Sequence, residues 1–205
     1  MRKFLTALVA IAAFALISGC GASGGSDSSA NTAAPTTTAA AKPTTSTTEA
    51  RSAVAVAAWA DDFCGNFTTW LDEIKAASAD IKDQVTPGDI GSAQQALVTL
   101  FGNASAATQK LINSLDQGGS PDVDKGDQLV ADLVSKFEAF DKAALTAQSD
   151  AKALTSTDVT TFQSDADELT SRFQAEVTKV GDSFGEIDTK YPSSELNAAL
   201  NSSCG

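Results

Sequence analysis

From Ser52 onward, apolar and polar positions alternate with a helical period, and they keep that period to the end of the chain. Val56, Ala60, Phe63, Phe67, Trp70, Ile74, Ala77 and Ile81 recur at steps of four and three. Such spacing places them on one face of a helix that meets its partners about every 3.5 residues. Trp59 and Leu71 widen the stripe. Thr86-Pro87-Gly88-Asp89 interrupts it, with Thr86 as the expected N-cap, Pro87 at the first helical position and Asp89 as a capping-box acid. A second stripe runs from Ile90 through Ala93, Leu97, Leu100, Phe101, Ala104, Thr108 and Leu111 to Leu115, and Gly118-Gly119-Ser120-Pro121 ends it.

A third stripe begins near Val123 and continues through Val130, Leu133, Phe137, Phe140, Ala144, Ala147 and Ala151 to Leu154. Thr155-Ser156-Thr157-Asp158 offers the next turn and its cap candidates. The fourth stripe runs from Val159 through Phe162, Ala166, Leu169, Phe173, Val177, Val180, Phe184 and Ile187 to Tyr191, where Pro192 stops it. Ser193 is positioned to cap a short last helix over 194–201. The β-branched residues fall on these stripes and no alternating run supports a strand. The expected fold is all-α. It is an antiparallel up-down-up-down four-helix bundle of helices about 30 residues long, each roughly 45 Å, followed by a short C-terminal helix.

The first 50 residues have a different character. Arg2 and Lys3 precede an apolar run from Phe4 to Ile17, which ends in Leu16-Ile17-Ser18-Gly19-Cys20. The run is too short to span a hydrocarbon core of roughly 30 Å and has the layout of a secretory signal. Small residues before a cysteine make it a bacterial lipobox, so Cys20 is expected to be lipidated and to become the first residue of the mature protein. Residues 21–50 are almost entirely Gly, Ala, Ser, Thr and Pro. They contain too little apolar surface to offset ordering entropy and read as a flexible tether, roughly 30 Å end to end. The expected organisation is signal peptide 1–19, lipidated cysteine and tether 20–50, and bundle domain 51–205.

Charge and cysteine content refine this picture. Once Arg2 and Lys3 leave with the signal, 12 basic side chains face 26 acidic ones, for a net charge of −14. Such a surface disfavours nucleic acid, whose affinity comes mainly from phosphate neutralisation, and it is repelled by anionic lipid headgroups. With Cys20 assigned to the anchor, Cys64 and Cys204 are the remaining pair, 140 residues apart. In an exported chain a disulfide is the expectation. Two free thiols or a metal pair are the alternatives. The chain has no histidine, so a tetrahedral zinc site would have to draw on carboxylates. In an up-down bundle the chain end returns to the start of the first helix, and a bond there would close the bundle.

Few motifs carry chemistry. Gly181-Asp182-Ser183-Phe184-Gly185 matches G-x-S-x-G, but it lies inside a helical stripe, and the chain lacks an imidazole to take the serine proton. The expected role of Gly181 and Gly185 is to let a neighbouring helix approach. Asp122-Val123-Asp124 begins like a calcium loop, but Leu133 stands where the closing glutamate belongs. Asp61, Asp62, Asp165, Asp167 and Glu168 read as solvated faces. Haem would need Tyr191 or a cysteine as axial ligand, and Tyr191 reads more simply as core. Trp59, Phe63, Phe67 and Trp70 form an aromatic stretch with two readings, core or a face for a partner or apolar ligand. No cofactor, metal site or catalytic constellation is expected.

Trp59-Ala60-Asp61-Asp62-Phe63-Cys64, the segment from Glu195-Leu196 to Cys204, and the Thr/Ala/Pro tether together resemble small exported helical lipoproteins of actinobacteria. The resemblance implies an extracytoplasmic helical domain with a terminal disulfide, on the outer face of the cell membrane, and it transfers no catalytic or binding residue. The function expected first is an interaction or accessory module that meets an envelope protein or wall component. A carrier of a small apolar ligand held between helices is the alternative, and an enzyme is not expected.

Overall fold

The computed structural model describes residues 51–154 and 158–204. Cys20, the signal segment and the tether lie outside the described residues, as do Thr155, Ser156 and Thr157. The elements in chain order are β1 (Ala53–Val54), α1 (Val56–Ala79), α2 (Ile81–Gln84), α3 (Ile90–Gln117), β2 (Ser120–Pro121), α4 (Gly126–Ala153), α5 (Val159–Phe184), α6 (Ile187–Lys190) and α7 (Ser194–Ser203). The four long helices are those the stripes predict, the terminal one is that expected after the Ser193 cap, and a disulfide between Cys64 and Cys204 closes the bundle, with Cα atoms 5.2 Å apart.

Several boundaries differ from the sequence expectation. The N-cap of α3 is Asp89, whose carboxylate accepts from the backbone N–H of Gly91 and of Ser92. Thr86 instead takes part in the preceding turn, its N–H donating to Ser92 Oγ at 2.9 Å. The third long helix starts at Gly126 rather than near Val123, because Lys125 adopts a left-handed conformation (φ 60°) just before it. The fourth stops at Phe184 and not at Tyr191. There the Gly185 N–H reaches back only to Asp182 O, a tightened turn that redirects the chain into α6.

A strand pair also forms where none was expected. Ala53–Val54 and Ser120–Pro121 lie parallel, with Ser120 N–H donating to Ser52 O at 3.0 Å and Asp122 N–H donating to Val54 O at 2.8 Å. Strands of two residues leave no alternation to read. The pairing requires Gly119, which has φ +78° and whose added Cβ would lie 2.5 Å from Ser52 O and 2.7 Å from Val54 Cγ2. Arg51 reinforces the joint through Asp116 in the last turn of α3, at 2.7 Å.

Helix α1 packs on α3, α3 on α4, and α4 on α5, while α7 lies on α1. Phe101, Phe137, Phe140, Leu129, Leu169 and Leu196 are the largest side chains fully removed from solvent. Most of the core is one cluster drawn from α1, α3, α4, α5, α6 and α7. A smaller one, Phe101, Ala147, Ala151 and Leu169, joins α3, α4 and α5 near the α4–α5 turn.

Candidate functional site

The aromatic stretch of α1 belongs to the core. Trp59, Phe67 and Trp70 retain 4%, 5% and 2% of their exposure, and Phe63 is half-buried. They stack along the helix, with centroids 5.3 Å apart for Trp59 and Phe63, 5.8 Å for Phe63 and Phe67, and 5.3 Å for Phe67 and Trp70. Trp70 meets Phe137 and Phe140 of α4 edge-on at 5.5 and 5.4 Å. From Phe140 the contacts pass to Phe173 at 6.0 Å and on to Phe101 at 5.0 Å. Edge-to-face geometry of this kind adds to simple area burial. The rings therefore fill the bundle from end to end instead of forming an outward face. The exposed-face reading of Trp59, Phe67 and Trp70 is corrected accordingly.

The burial of Trp70 has a polar cause. Its indole N–H donates to Thr108 Oγ1 at 3.0 Å, and that hydroxyl donates to Ala104 O at 2.7 Å. Thr108 is fully buried. Sequence reading placed Thr108 in the apolar stripe without detecting that it serves the tryptophan.

Outside the core, Trp59 and Phe63 border a groove shared with Asp62, Asn66, Ser114, Leu115 and Gly118. Its volume is about 80 Å³, well below the roughly 300 Å³ and more of small-molecule sites.

Two polar clusters tie helices together. Ser105, buried on α3, donates to Asp141 Oδ1 of α4, and Gln109 Nε2 donates to Ser105 Oγ at 3.3 Å and to Asp141 Oδ2 at 3.4 Å. At the other end of α4, Asp132 accepts from Tyr191 Oη at 2.6 Å and from Lys190 Nζ. Burial raises the Asp132 pKa, but the bonds from Lys190 and Tyr191 and the charges of Lys190 and Lys136 outweigh it and hold the carboxyl below its ordinary 3.8. Burial, and then the bond to Asp132, push the Tyr191 phenol up. Tyr191 is 6% exposed, in keeping with its predicted place in the core.

The remaining motifs are structural. Ser183 Oγ donates to Val180 O at 2.6 Å within its own helix, so no nucleophile elbow forms. The helix approach expected at Gly181 and Gly185 is absent: an added Cβ at Gly181 would meet open space, and one at Gly185 would meet only Asp182 O of its own turn. Asp61, Asp62, Asp167 and Glu168 are exposed, whereas Asp165 is half-buried. Among the described residues no cluster of three or more His, Cys, Asp or Glu is arranged to hold a metal, and no helix is long and apolar enough to cross a membrane. Comparisons with protein-family models, curated proteins and solved structures returned no match.

Proposed function

We propose that this chain is a lipid-anchored envelope protein whose bundle acts as an interaction or accessory module. Cys20 provides the anchor, residues 21–50 the tether, and the outer helix faces the contact surface. The observation that carries this reading is the aromatic interior. Trp70, Phe101, Phe137 and Phe140 are buried between the helices, which supports contact through the outer faces. The acidic surface supports a polypeptide or wall partner over nucleic acid or anionic lipid. The carrier alternative would need room between the helices for an apolar molecule, and the groove beside Trp59 and Phe63, at about 80 Å³, is smaller than such a site.

Two measurements test the proposal together. Mass spectrometry of the N-terminal peptide should find Cys20 acylated, and Cys20→Ala should move the protein out of the membrane fraction. Crosslinking in intact membranes should then trap a discrete partner, and that adduct should weaken when outer-face residues are changed. An unmodified Cys20 in the mature protein would end the anchor half of the reading. Co-purification of a stoichiometric apolar molecule would favour the carrier instead.

A further inference from the structure

We infer that the Cys64–Cys204 disulfide is a latch on α7, not a clamp on the bundle, and that a dithiol reductant releases α7 from the face of α1 while the four long helices stay folded. Helix α7 is ten residues long, shorter than the 12–15 at which an isolated helix becomes marginal in water. It lies on α1, and no other described helix packs along it to a similar extent. Only Leu196 and Leu200 are buried on it, with Ala199 packed against the core at its edge. Beyond those side chains, the disulfide and a hydrogen bond from Ser203 Oγ to Asp61 Oδ1 fix its far end. Two buried leucines do not offset the backbone entropy of ordering ten residues, so the covalent bond is what keeps α7 in place.

The aromatic contacts among the long helices do not run through α7. The contacts of Trp70, Phe137, Phe140, Phe173 and Phe101 join α1, α3, α4 and α5 directly. Just before α7, Lys190 and Tyr191 are held on α4 through Asp132. The chain can therefore swing at Pro192–Ser193 without disturbing α6. Release uncovers the turn of α1 around Cys64, which is 3% exposed in the latched state.

The two sulfurs differ in access. Cys64 is 3% exposed, whereas Cys204 is half-buried at the chain end. The attacking thiolate of the dithiol therefore forms a mixed disulfide with Cys204 Sγ and displaces Cys64, whose thiolate takes up a proton. The second thiol of the dithiol then displaces Cys204. The dithiol leaves as its own disulfide, and both cysteines leave as thiols.

Hydrogen exchange on the full chain, with and without dithiothreitol, tests the inference, with alkylation and mass measurement confirming the redox state. Backbone amides of α7 should lose at least about tenfold in protection on reduction, while those of α3 and α4 change by less than about twofold. Cys204→Ala should give the same pattern without reductant. A bond that resists the dithiol under native conditions overturns the inference. So does protection lost throughout the bundle, or α7 amides that stay protected once both thiols are alkylated.

Discussion

Replacing Thr108 by valine removes a polar contact inside the aromatic core. The change keeps the side-chain volume and removes a hydroxyl that accepts the Trp70 indole N–H at 3.0 Å. Trp70 is 2% exposed and Thr108 0%, so water does not replace the lost acceptor. The Ala104 carbonyl that received the hydroxyl loses little, because it still accepts within the helix. A buried donor left without a partner costs about 1–3 kcal/mol, and for a domain of this size each kcal/mol lowers Tm by about 2–4 °C. Trp70→Phe removes the donor and carries its own packing cost, which a double-mutant cycle subtracts. In the Trp70→Phe background, Thr108→Val should then cost less than about 0.5 kcal/mol. Urea unfolding of the four proteins, followed by far-ultraviolet circular dichroism, measures the difference, provided the slopes with denaturant agree. Equal cost in both backgrounds would refute the reasoning, since the hydroxyl would then be acting through something other than the indole.

Two glycines should respond to alanine with opposite signs. Gly181→Ala fills open space inside α5 and should raise the urea midpoint by the equivalent of about 1 kcal/mol. At Gly126 an added Cβ would overlap the Pro121 carbonyl oxygen, so Gly126→Ala should lower the midpoint by the equivalent of about 1–3 kcal/mol. Acid unfolding should report Asp132. Its folded-state pKa lies below 3.8, so its stabilising contribution is present above about pH 4 and is lost as pH falls through the lower folded value. The stability gap between the wild type and Asp132→Asn should therefore narrow between about pH 5 and pH 2, and a constant gap would show that the carboxylate's ionisation is not coupled to folding.

The parts of this fold that were legible in the sequence are those set by periodicity. Stripes with three- and four-residue steps locate the four long helices, and the Ser193 cap marks the short last one, its hydroxyl accepting from Leu196 N–H at 3.2 Å. The pattern assigned the N-cap to Thr86 and made Asp89 its capping-box acid, whereas the cap is Asp89, because Gly88, at φ +81°, turns the chain between them. Local spacing also hides pairings between distant residues. Ser52 and Ser120, or Asp132 and Tyr191, meet only after the helices have assembled.

The aromatic stretch shows the same division more sharply. Trp59, Phe63, Phe67 and Trp70 lie on one stripe whether they face a partner or the interior, so periodicity does not separate the two readings. Burying a tryptophan requires an acceptor for its N–H, and the acceptor here, Thr108, is 38 residues away on α3. A threonine in the middle of an otherwise apolar stripe was therefore the available signal, since a buried hydroxyl at a core position implies a polar partner across the interface. For the cysteines, counting was enough to suggest the pair once Cys20 was set aside. That the pair would fasten the chain end to the first helix also followed from the up-down order of the helices, and it does so with Cα atoms 5.2 Å apart.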